Sequence, residues 1–473
     1  MTLVLCITDN LSTACDRSAK SVAGILTGPH LPELPLFYNA TPFTRTGSIR
    51  RGLPDGPAHM IFEGDNLPVL EALLKDHRRG IDLIFVDGPY NGGSRRLTYR
   101  DHHADWVEDL RVRLTLARDL LSPLGVIVMA VDDAEIGRLR VLADEVFGSR
   151  QHLTSLVHQG DVSSGRRFTG GGVDYMVVSG RSKKAMMDAD VRWREPKAGV
   201  GKVLSAGTKA WADSDGSPEN ATMALRAWWK GRKPKFSAGL REYSRVDETG
   251  RVFRIGTLGV PQGRGSGRYD VLHPANGRPV APPPGDWVAP PATMARYIHE
   301  GRILFGPDET TTPWRKLFLD EQLDQVPLPT FTQSRAEGTK HLNKVFAGEA
   351  RFSHPKDHQI LARWFRVMAG PEATFLDFYA GSGTTAEAVM MLNAEDGGTR
   401  RTILVTNNEV SGPDQETLTA SGYAAGDPEW ESRGAFRRVC RPRIETIVTG
   451  VREDRSVYDG PTYAENVEFF RAS

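Results

Sequence analysis

Residues 374–392 read TFLDFYAGSGTTAEAVMML. The apolar run at 374–378 predicts a buried strand, and the run at 384–392 predicts a helix. Between them, Gly381 and Gly383 allow the backbone to turn tightly beneath a ligand, and the first N–H groups of the helix can bind that ligand. The segment predicts a strand, a ligand-binding turn and a helix of an α/β domain, although a tight turn without a ligand has the same pattern.

A second strand is predicted at 401–407, and Glu409 follows it. An acidic side chain after the second strand of such a unit, roughly 20 residues or more beyond the glycine turn, commonly accepts hydrogen bonds from ribose hydroxyls. Glu409 therefore favours a ligand that contains a nucleoside. An ordinary exposed loop carboxylate is the competing interpretation.

The same alternation of strands and helices occurs nearer the start of the chain. Strands are predicted at 59–63, 82–86 and 125–131, and helices at 67–74, 106–121 and 136–147. The rhythm is lost between 151 and about 350, where Gly, Pro and Arg are frequent, and it resumes with a helix at 357–368. One parallel α/β sheet interrupted by an insertion explains this pattern better than two separate sheets.

The turn Asp87-Gly-Pro-Tyr90 directly follows a predicted buried strand, where an α/β sheet places its chemistry. Asp87 and the carbonyl oxygen of Gly88 supply two acceptors that can hold an exocyclic amino group. Tyr90 supplies an aromatic face on which an unstacked base can lie, and Pro89 stiffens the turn. Taken alone, Asp-Gly-Pro is also ordinary turn chemistry.

Charge is distributed unevenly along the chain. The whole sequence has a net charge of +1, but residues 151–350 contain 29 Lys and Arg against 21 Asp and Glu. This excess suggests a nucleic-acid partner, with a solvated Arg-rich surface as the alternative. Aromatic and basic side chains alternate in one segment of it, and its candidate DNA-binding residues are Arg226, Trp228, Trp229, Lys230, Arg232, Lys233 and Lys235. Packing of Trp228 or Trp229 in a local core is the alternative there.

The three cysteines, Cys6, Cys15 and Cys440, form no C-x-x-C pair. We therefore expect neither a disulfide framework nor a structural zinc site, and we predict no other metal. The apolar run at 3–7 is too short for a signal peptide or a membrane span. These features predict a cytoplasmic protein without a membrane partner.

Taken together and in this order, the motifs resemble one known family. The turn at 87–90, the basic insertion and the glycine turn follow one another as in the β-class of S-adenosylmethionine-dependent DNA amino-methyltransferases, whose D-P-P-Y motif precedes the recognition segment and the F-x-G-x-G motif. Within that class the chain is most similar to the Mod subunits of type III restriction–modification systems. Further segments that resemble family motifs are Glu63–Leu67, Leu83–Asn91, Ala117–Leu121, Val126–Asp133, Pro355-Lys356, Leu404–Glu409 and Arg441–Ile444.

The resemblance implies a Rossmann-like methyltransferase sheet in circularly permuted motif order, interrupted by a target-recognition domain. The expected divisions are an N-terminal extension at 1–55, a catalytic half at 56–150, the recognition insertion at 151–350, a cofactor-binding half at 351–450 and a C-terminal tail at 451–473.

The resemblance also implies roles for individual residues. Those expected to bind S-adenosylmethionine are Asp65, Asp377, Phe378, Ala380, Gly381, Ser382, Gly383, Thr384 and Glu409, with Glu409 at the ribose. Those expected to hold the target base are Asp87, Gly88, Pro89 and Tyr90. An Asp at the first position of this turn is typical of enzymes that methylate adenine N6 rather than cytosine N4.

Gly88 departs from the family, which has Pro at this position. The carbonyl oxygen is retained, but replacing Pro by Gly loosens a turn by roughly 0.4–1 kcal/mol. We therefore expect slower chemistry rather than inactivity.

The expected function is site-specific methylation of adenine N6 in duplex DNA by base flipping, as the modification subunit of a restriction or phage-defence system. Expected partners are double-stranded DNA and, in addition, a second copy of the chain, a restriction or helicase–nuclease subunit, or both. The alternatives are a cytosine-N4 methyltransferase, a catalytically weak DNA-recognition subunit, and a methyltransferase that acts on RNA or a small molecule.

Overall fold

Two compact units make up the chain. The computed structural model describes residues 43–91, 105–162, 171–232, 236–334 and 336–472. The larger unit combines Met1–Trp193 with Leu328–Ser473, and the smaller unit is Arg194–Pro327. The chain thus leaves the larger unit once, forms the smaller unit and returns.

A ten-stranded sheet forms the centre of the larger unit. From one edge to the other its strands are β1 (Phe43–Arg50), β18 (Asn466–Ala472), β2 (Ala58–Glu63), β17 (Arg401–Thr406), β16 (Thr374–Asp377), β3 (Ile81–Val86), β4 (Leu121–Asp132), β6 (Gly171–Gly180), β5 (His152–Val162) and β15 (Thr330–Thr332). The six strands from β18 to β4 are parallel, whereas β1 and β6 are antiparallel to their neighbours. The predicted α/β fold with a Rossmann-like sheet in permuted order is confirmed, because strands from the two ends of the chain lie side by side.

Helices cover both faces of this sheet. The helices in the described residues of the two units together are α1 (Asn66–Asp76), α2 (Trp106–Leu120), α3 (Ile136–Phe147), α4 (Lys183–Asp188), α5 (Val200–Ala212), α6 (Pro218–Trp229), α7 (Ala238–Arg241), α8 (Pro291–His299), α9 (Ala336–Val345), α10 (His358–Met368), α11 (Thr384–Asp396), α12 (Gly412–Ala420), α13 (Pro428–Glu431) and α14 (Arg441–Thr449). Of these, α5 to α8 belong to the smaller unit. On one face Ile84 of β3 packs with α1, α2 and α3, and on the other Leu83 and Phe85 pack with α10 and α11. Both faces of β3 are therefore buried, which explains its nearly continuous apolar sequence.

The order of the strands reverses between β16 and β3. These two strands pair in parallel, with Asp377 opposite Phe85. From β16 the chain passes through α11 to β17 on one side, and from β3 it passes through α2 to β4 on the other side. In open α/β sheets such a reversal leaves a crevice at the carboxyl ends of the two strands, where ligands bind.

The smaller unit has its own core. It contains α5 to α8, a four-stranded sheet and two short strand pairs. Its strands are β7 (Glu195–Pro196), β8 (Arg245–Val246), β9 (Val252–Gly256), β10 (Gly259–Val260), β11 (Asp286–Trp287), β12 (Ile303–Leu304), β13 (Trp314–Phe318) and β14 (Asp324–Gln325). Two apolar clusters form around the buried indoles of Trp229 and Trp287. None of the helices described in either unit is long and apolar enough to cross a membrane.

The structure places several divisions of the chain elsewhere than composition predicts. The insertion is expected at 151–350, but β5, β6 and β15 belong to the large sheet. The expected tail at 451–473 contributes β18, and β1 from the expected N-terminal extension pairs with it; residues 1–42 lie outside the described part. These strands mix polar and glycine residues with their apolar ones or, like β15, are very short, so an apolar run alone does not reveal them.

Asp82 connects three strands at the amino end of the sheet. One of its carboxylate oxygens accepts a hydrogen bond from the Thr374 amide at 3.0 Å, and the other accepts one from the Ser122 hydroxyl at 3.1 Å. We predict that Asp82→Ala lowers the free energy of unfolding by about 1–3 kcal/mol, because it leaves the buried Thr374 amide without this acceptor.

Urea denaturation measures this loss, with Asp188→Ala as the control. The Asp188 carboxylate pairs with Lys184 on the surface, and its removal is expected to change stability by no more than about 0.5 kcal/mol. Equal effects of the two substitutions would show that Asp82 does not hold the strands together.

Candidate functional site

The two sequence motifs meet at the strand-order reversal. Asp87 follows β3 and the glycine turn follows the adjacent β16. A Cβ atom added to Gly88 would lie 3.2 Å from Cε2 of Tyr379, so the two loops are in close contact. The φ angle of Gly88 is not positive, so its backbone conformation does not by itself require a glycine. Instead, the Tyr379 ring limits the room beside Gly88, which accounts for a residue without a side chain where the family has Pro.

Three side chains converge beside this contact. The Lys356 ammonium lies 2.7 Å from Oδ1 of Asp87 and donates to the Tyr90 hydroxyl at 2.8 Å. The Tyr90 hydroxyl donates to the same Asp87 oxygen at 3.1 Å. About a quarter of the Lys356 and Asp87 side-chain surface is exposed. Burial alone would lower the pKa of Lys356, but Asp87 and Tyr90 raise it above its ordinary value, so Lys356 is protonated.

The turn that carries Asp87 is fixed from below as well. The Trp106 indole donates to the carbonyl oxygen of Pro89 at 2.7 Å, and the Asn91 side chain donates to Glu135 at 3.1 Å. These contacts hold the turn although Gly88 lacks the ring of a proline. The greater freedom expected of a turn with Gly88 is therefore offset by these two hydrogen bonds, which the sequence does not reveal.

The glycine turn needs its glycines. Gly381 has φ +49° and Gly383 has φ +77°, both in the left-handed region that side chains disfavour. A Cβ atom at Gly381 would also lie 3.2 Å from the Phe352 ring, and one at Gly383 would lie 3.2 Å from the Cys440 sulfur. The turn therefore leaves its backbone close to the start of α11, as a ligand cradle requires.

Asp377 supports this turn from inside the protein. One carboxylate oxygen accepts from the Tyr379 amide at 3.0 Å, and the other accepts from the Thr385 hydroxyl at 2.6 Å. The side chain is 2% exposed. Burial raises the pKa of this carboxyl to about 7, and its hydrogen bonds offset that only in part. Asp377, expected to bind the cofactor, thus connects β16 to α11.

The aromatic residue at the turn is not the expected one. Phe378 is 1% exposed and packs in the core with Leu376. Tyr379 is only partly buried and lies against Gly88. The family spacing F-x-G-x-G also places its aromatic residue two positions before Gly381, which is Tyr379. The other expected cofactor residues of the turn, Ala380, Ser382 and Thr384, are buried.

Two expected acidic residues follow neighbouring parallel strands at the same sheet edge. Asp65 follows β2, caps α1 by accepting from the Leu67 amide at 2.7 Å, and is exposed. Glu409 follows β17 and is partly buried. The adjacent Asn66, to which the sequence assigned no role, donates to the carbonyl oxygen of Phe378 at 2.7 Å. The Gly-Asp-Asn-Leu segment therefore bonds to the glycine turn through its Asn.

The candidate DNA-binding segment lies in the smaller unit, and its two indoles differ. Trp229 is 1% exposed and donates to the Tyr243 carbonyl oxygen at 3.1 Å, so it cannot stack on a base; its assignment to DNA binding is wrong. Trp228 is partly buried and borders a groove of about 630 Å³ together with Lys202 and Lys209. The exposed basic residues of the segment are Arg226, Lys230 and Arg232, whereas Lys233 and Lys235 lie outside the described residues.

Known proteins resemble this chain over most of its length. The sequence model of a family described as DNA methylase matches residues 81–405. The chain is 23% identical to the Mod subunit of the type III restriction-modification enzyme EcoP15I from Escherichia coli, covering 77% of this chain and 61% of that protein. It is 26% identical to the StyLTI Mod subunit from Salmonella typhimurium, covering 74% of this chain and 52% of that protein. The chain thus spans about half to three-fifths of these relatives.

A solved structure is also similar. It is a complex of M1.HpyAVI with SAM, which matches 80% of this chain and 98% of its own length at 10% identity, with a TM-score of 0.33.

We predict that Asp377→Asn makes stability less dependent on pH. In the folded wild type the carboxyl keeps its proton up to about pH 7, whereas the ordinary value is 3.8. The wild type therefore loses stability as the pH rises toward 7, on the order of 1 kcal/mol per pH unit, and the variant does not. Relative to the wild type, Asp377→Asn should be more stable at pH 8 than at pH 5.5.

Chemical denaturation at these two pH values measures the difference. Asp188→Asn, at an exposed position, is the control and should differ from the wild type equally at both. A constant difference for Asp377→Asn as well would mean that Asp377 is ionised in the folded protein at pH 5.5.

Proposed function

The chain belongs to the DNA methylase family, and we propose that it transfers a methyl group from S-adenosylmethionine to N6 of an adenine flipped out of duplex DNA. The observation that carries this proposal is the contact between the Asp87 turn and the glycine turn at adjacent strand ends. One turn offers acceptors for an amino group, and the other offers a cradle of backbone for the methyl donor.

The glycine turn suits a bulky, partly polar ligand such as S-adenosylmethionine. Gly381 and Gly383 keep the backbone free of side chains, and α11 begins directly behind them. Glu409, at the end of the neighbouring strand, is the residue we assign to the ribose. When bound, S-adenosylmethionine supplies an electrophilic methyl group.

Asp87 and the carbonyl oxygen of Gly88 would accept hydrogen bonds from the two hydrogens of the target amino group. This arrangement directs the nitrogen lone pair away from the acceptors, and the Asp87 charge stabilises the positive charge that develops on the nitrogen. The Tyr90 ring would stack on the flipped base. The Lys356 ammonium, 2.7 Å from Oδ1 of Asp87, holds this side chain in place before the base arrives.

Asp at position 87 supports adenine as the target base, and cytosine N4 is the alternative. The Mod subunits among the relatives support a further proposal, that the chain acts with a restriction partner on double-stranded DNA. We also propose that the smaller unit, 194–327, carries much of the target recognition, with Trp228 and the exposed Arg226, Lys230 and Arg232 on its surface.

We predict that Asp87→Ala reduces methyl transfer at least 100-fold while duplex affinity stays within a factor of about three, because loss of a preorganised group acts on the chemical step and phosphate contacts dominate binding. Radiolabelled methyl transfer measures the rate, and nucleoside analysis of the product distinguishes N6-methyladenine from N4-methylcytosine. Glu71→Ala, on the exposed side of α1, is the control.

Each outcome of this experiment has a meaning. Wild-type rates in Asp87→Ala would remove Asp87 from the mechanism. Detection of N4-methylcytosine in the product would change the proposed target base to cytosine and leave the proposed reaction in place. A wild-type chain that binds S-adenosylmethionine and duplex without methylating either base would be a recognition subunit.

We predict that exchanging 194–327 for the corresponding segment of a related methyltransferase changes the methylated sequence and leaves S-adenosylmethionine affinity unchanged. The reason is that all cofactor residues assigned above lie in the larger unit. Methylation-sensitive sequencing of DNA from cells that express the hybrid reads out the site. If a folded, active hybrid methylates the original sequence, recognition resides elsewhere.

A further inference from the structure

A buried pair of charges lies behind the glycine turn. The Arg443 guanidinium on α14 donates through Nε and one terminal nitrogen to the same carboxylate oxygen of Glu387 on α11, at 2.8 Å and 2.7 Å. The side chains are 1% and 0% exposed. Burial alone would raise the pKa of Glu387, but Arg443 and a hydrogen bond from His341 lower it to about 2, so the pair is ionic.

The remaining terminal nitrogen of Arg443 reaches the turn itself. It donates to the hydroxyl of Thr384 at 2.8 Å, and to the carbonyl and hydroxyl oxygens of Ser382 at 3.2 Å each. The next amide, of Gly383, donates to the carbonyl oxygen of Ala380 at 2.8 Å. The peptide between Ser382 and Gly383 is therefore fixed on both sides, which sets the direction of the N–H groups that begin α11.

Stability alone does not account for this arrangement. Removing two charges from water costs so much that a buried ion pair is often no more stabilising than apolar residues of the same volume. Within the part of the chain that the structure describes, this third Arg443 nitrogen donates to the turn alone. The geometry of Arg443 is that of a residue that orients the turn, because its planar guanidinium can bond to Glu387 on one side and to the turn on the other.

His341 and His358 complete the cluster around Glu387. His341 Nε2 lies 2.5 Å from the second carboxylate oxygen, and the two imidazole rings are 4.1 Å apart between centroids. Two ligand atoms on one tetrahedral zinc ion lie about 3.3 Å apart. The 2.5 Å distance is that of a hydrogen bond, so His341 supports Glu387 as a hydrogen-bond donor rather than as a second ligand of one zinc ion.

We propose that Arg443 is a positioning residue for the methyl donor: it fixes the segment Ser382–Thr384 in the form that binds S-adenosylmethionine. The proposal rests on the proposed function, because it assumes that this turn binds that molecule. Arg443 does not touch the ligand, and its effect passes through Ser382 and Thr384.

The test is the variant Arg443→Lys, which keeps the charge and loses the fork. One ammonium group cannot hold both Glu387 and the turn in the same geometry. Calorimetry should show S-adenosylmethionine binding weakened on the order of 10-fold, the size of loss seen when a side chain that orients a metal ligand is removed. At saturating S-adenosylmethionine the methylation rate should stay within about 2-fold of the wild type, and duplex affinity should not change.

Two control variants separate positioning from general destabilisation. Ile447→Ala truncates a fully buried side chain on the same helix, so it should lower the melting temperature without changing S-adenosylmethionine affinity. Arg441→Gln removes a more exposed arginine that pairs with Glu445, and it should change neither. If Ile447→Ala weakens binding as much as Arg443→Lys does at equal loss of stability, Arg443 has only a structural role.

Thr384→Val provides a second route that leaves the ion pair intact. It removes one acceptor of Arg443 and should weaken S-adenosylmethionine binding several-fold. The double variant with Arg443→Lys should bind no more weakly than Arg443→Lys alone, since both changes act on one contact. Additive losses, or unchanged affinity in either single variant, would overturn the proposal; should Arg443→Lys not fold, Thr384→Val alone decides. Absence of binding by the wild type would instead refute the proposed function.

Discussion

Parallel pairing between β16 and β3 joins segments that are almost 300 positions apart in sequence. The hydrogen bond from the Thr374 amide to Asp82 lies at one end of this pair, and the Asp87 turn and the glycine turn follow its other end. In the proposed function neither turn acts without the other, because one would provide acceptors for an amino group and the other would provide the cradle for its methyl donor. The reversal of strand order at this place converts two distant motifs into one crevice.

The side chains that surround this crevice divide into two sets. Asp87, Lys356 and Tyr90 keep part of their surface open and hold one another by short hydrogen bonds. Asp377 and Arg443 are buried and bond instead to the backbone or hydroxyl groups of the glycine turn. Such burial is costly, and it is balanced only by complete pairing. The buried set, Asp377 and Arg443, therefore gives the glycine turn one defined form. In the proposed function the more open set, Asp87, Lys356 and Tyr90, would exchange partners with an incoming base.

Much of the fold could be predicted because its signals are local. The predicted helix at 136–147 coincides with α3, and the strand predicted at 82–86 is observed at Ile81–Val86. Asp87, Gly381 and Gly383 could be predicted as candidate site residues for the same reason, since each lies in a short motif next to a strand. The place of Lys356 beside Asp87 could not be predicted, because its contact with Tyr90 joins positions 266 apart. The error at Trp229 was avoidable: Ala221, Leu225 and Trp229 recur every four residues and form the buried face of α6.

Gly88 stands where the family has Pro, and in this chain neighbouring side chains restrict the turn instead of a proline ring. A proline restricts φ by its own ring. In this chain the Tyr379 ring occupies the space beside Gly88, and the Trp106 indole fixes the carbonyl oxygen of Pro89. Tyr379 is in turn placed by the hydrogen bond of its amide to Asp377. The conformation of the amino-group turn is therefore coupled to that of the glycine turn. Tyr379 contacts the turn that carries Asp87 and is bonded to Asp377 at the start of the glycine turn, so in the proposed function the acceptors for the base and the cradle for the methyl donor lie side by side.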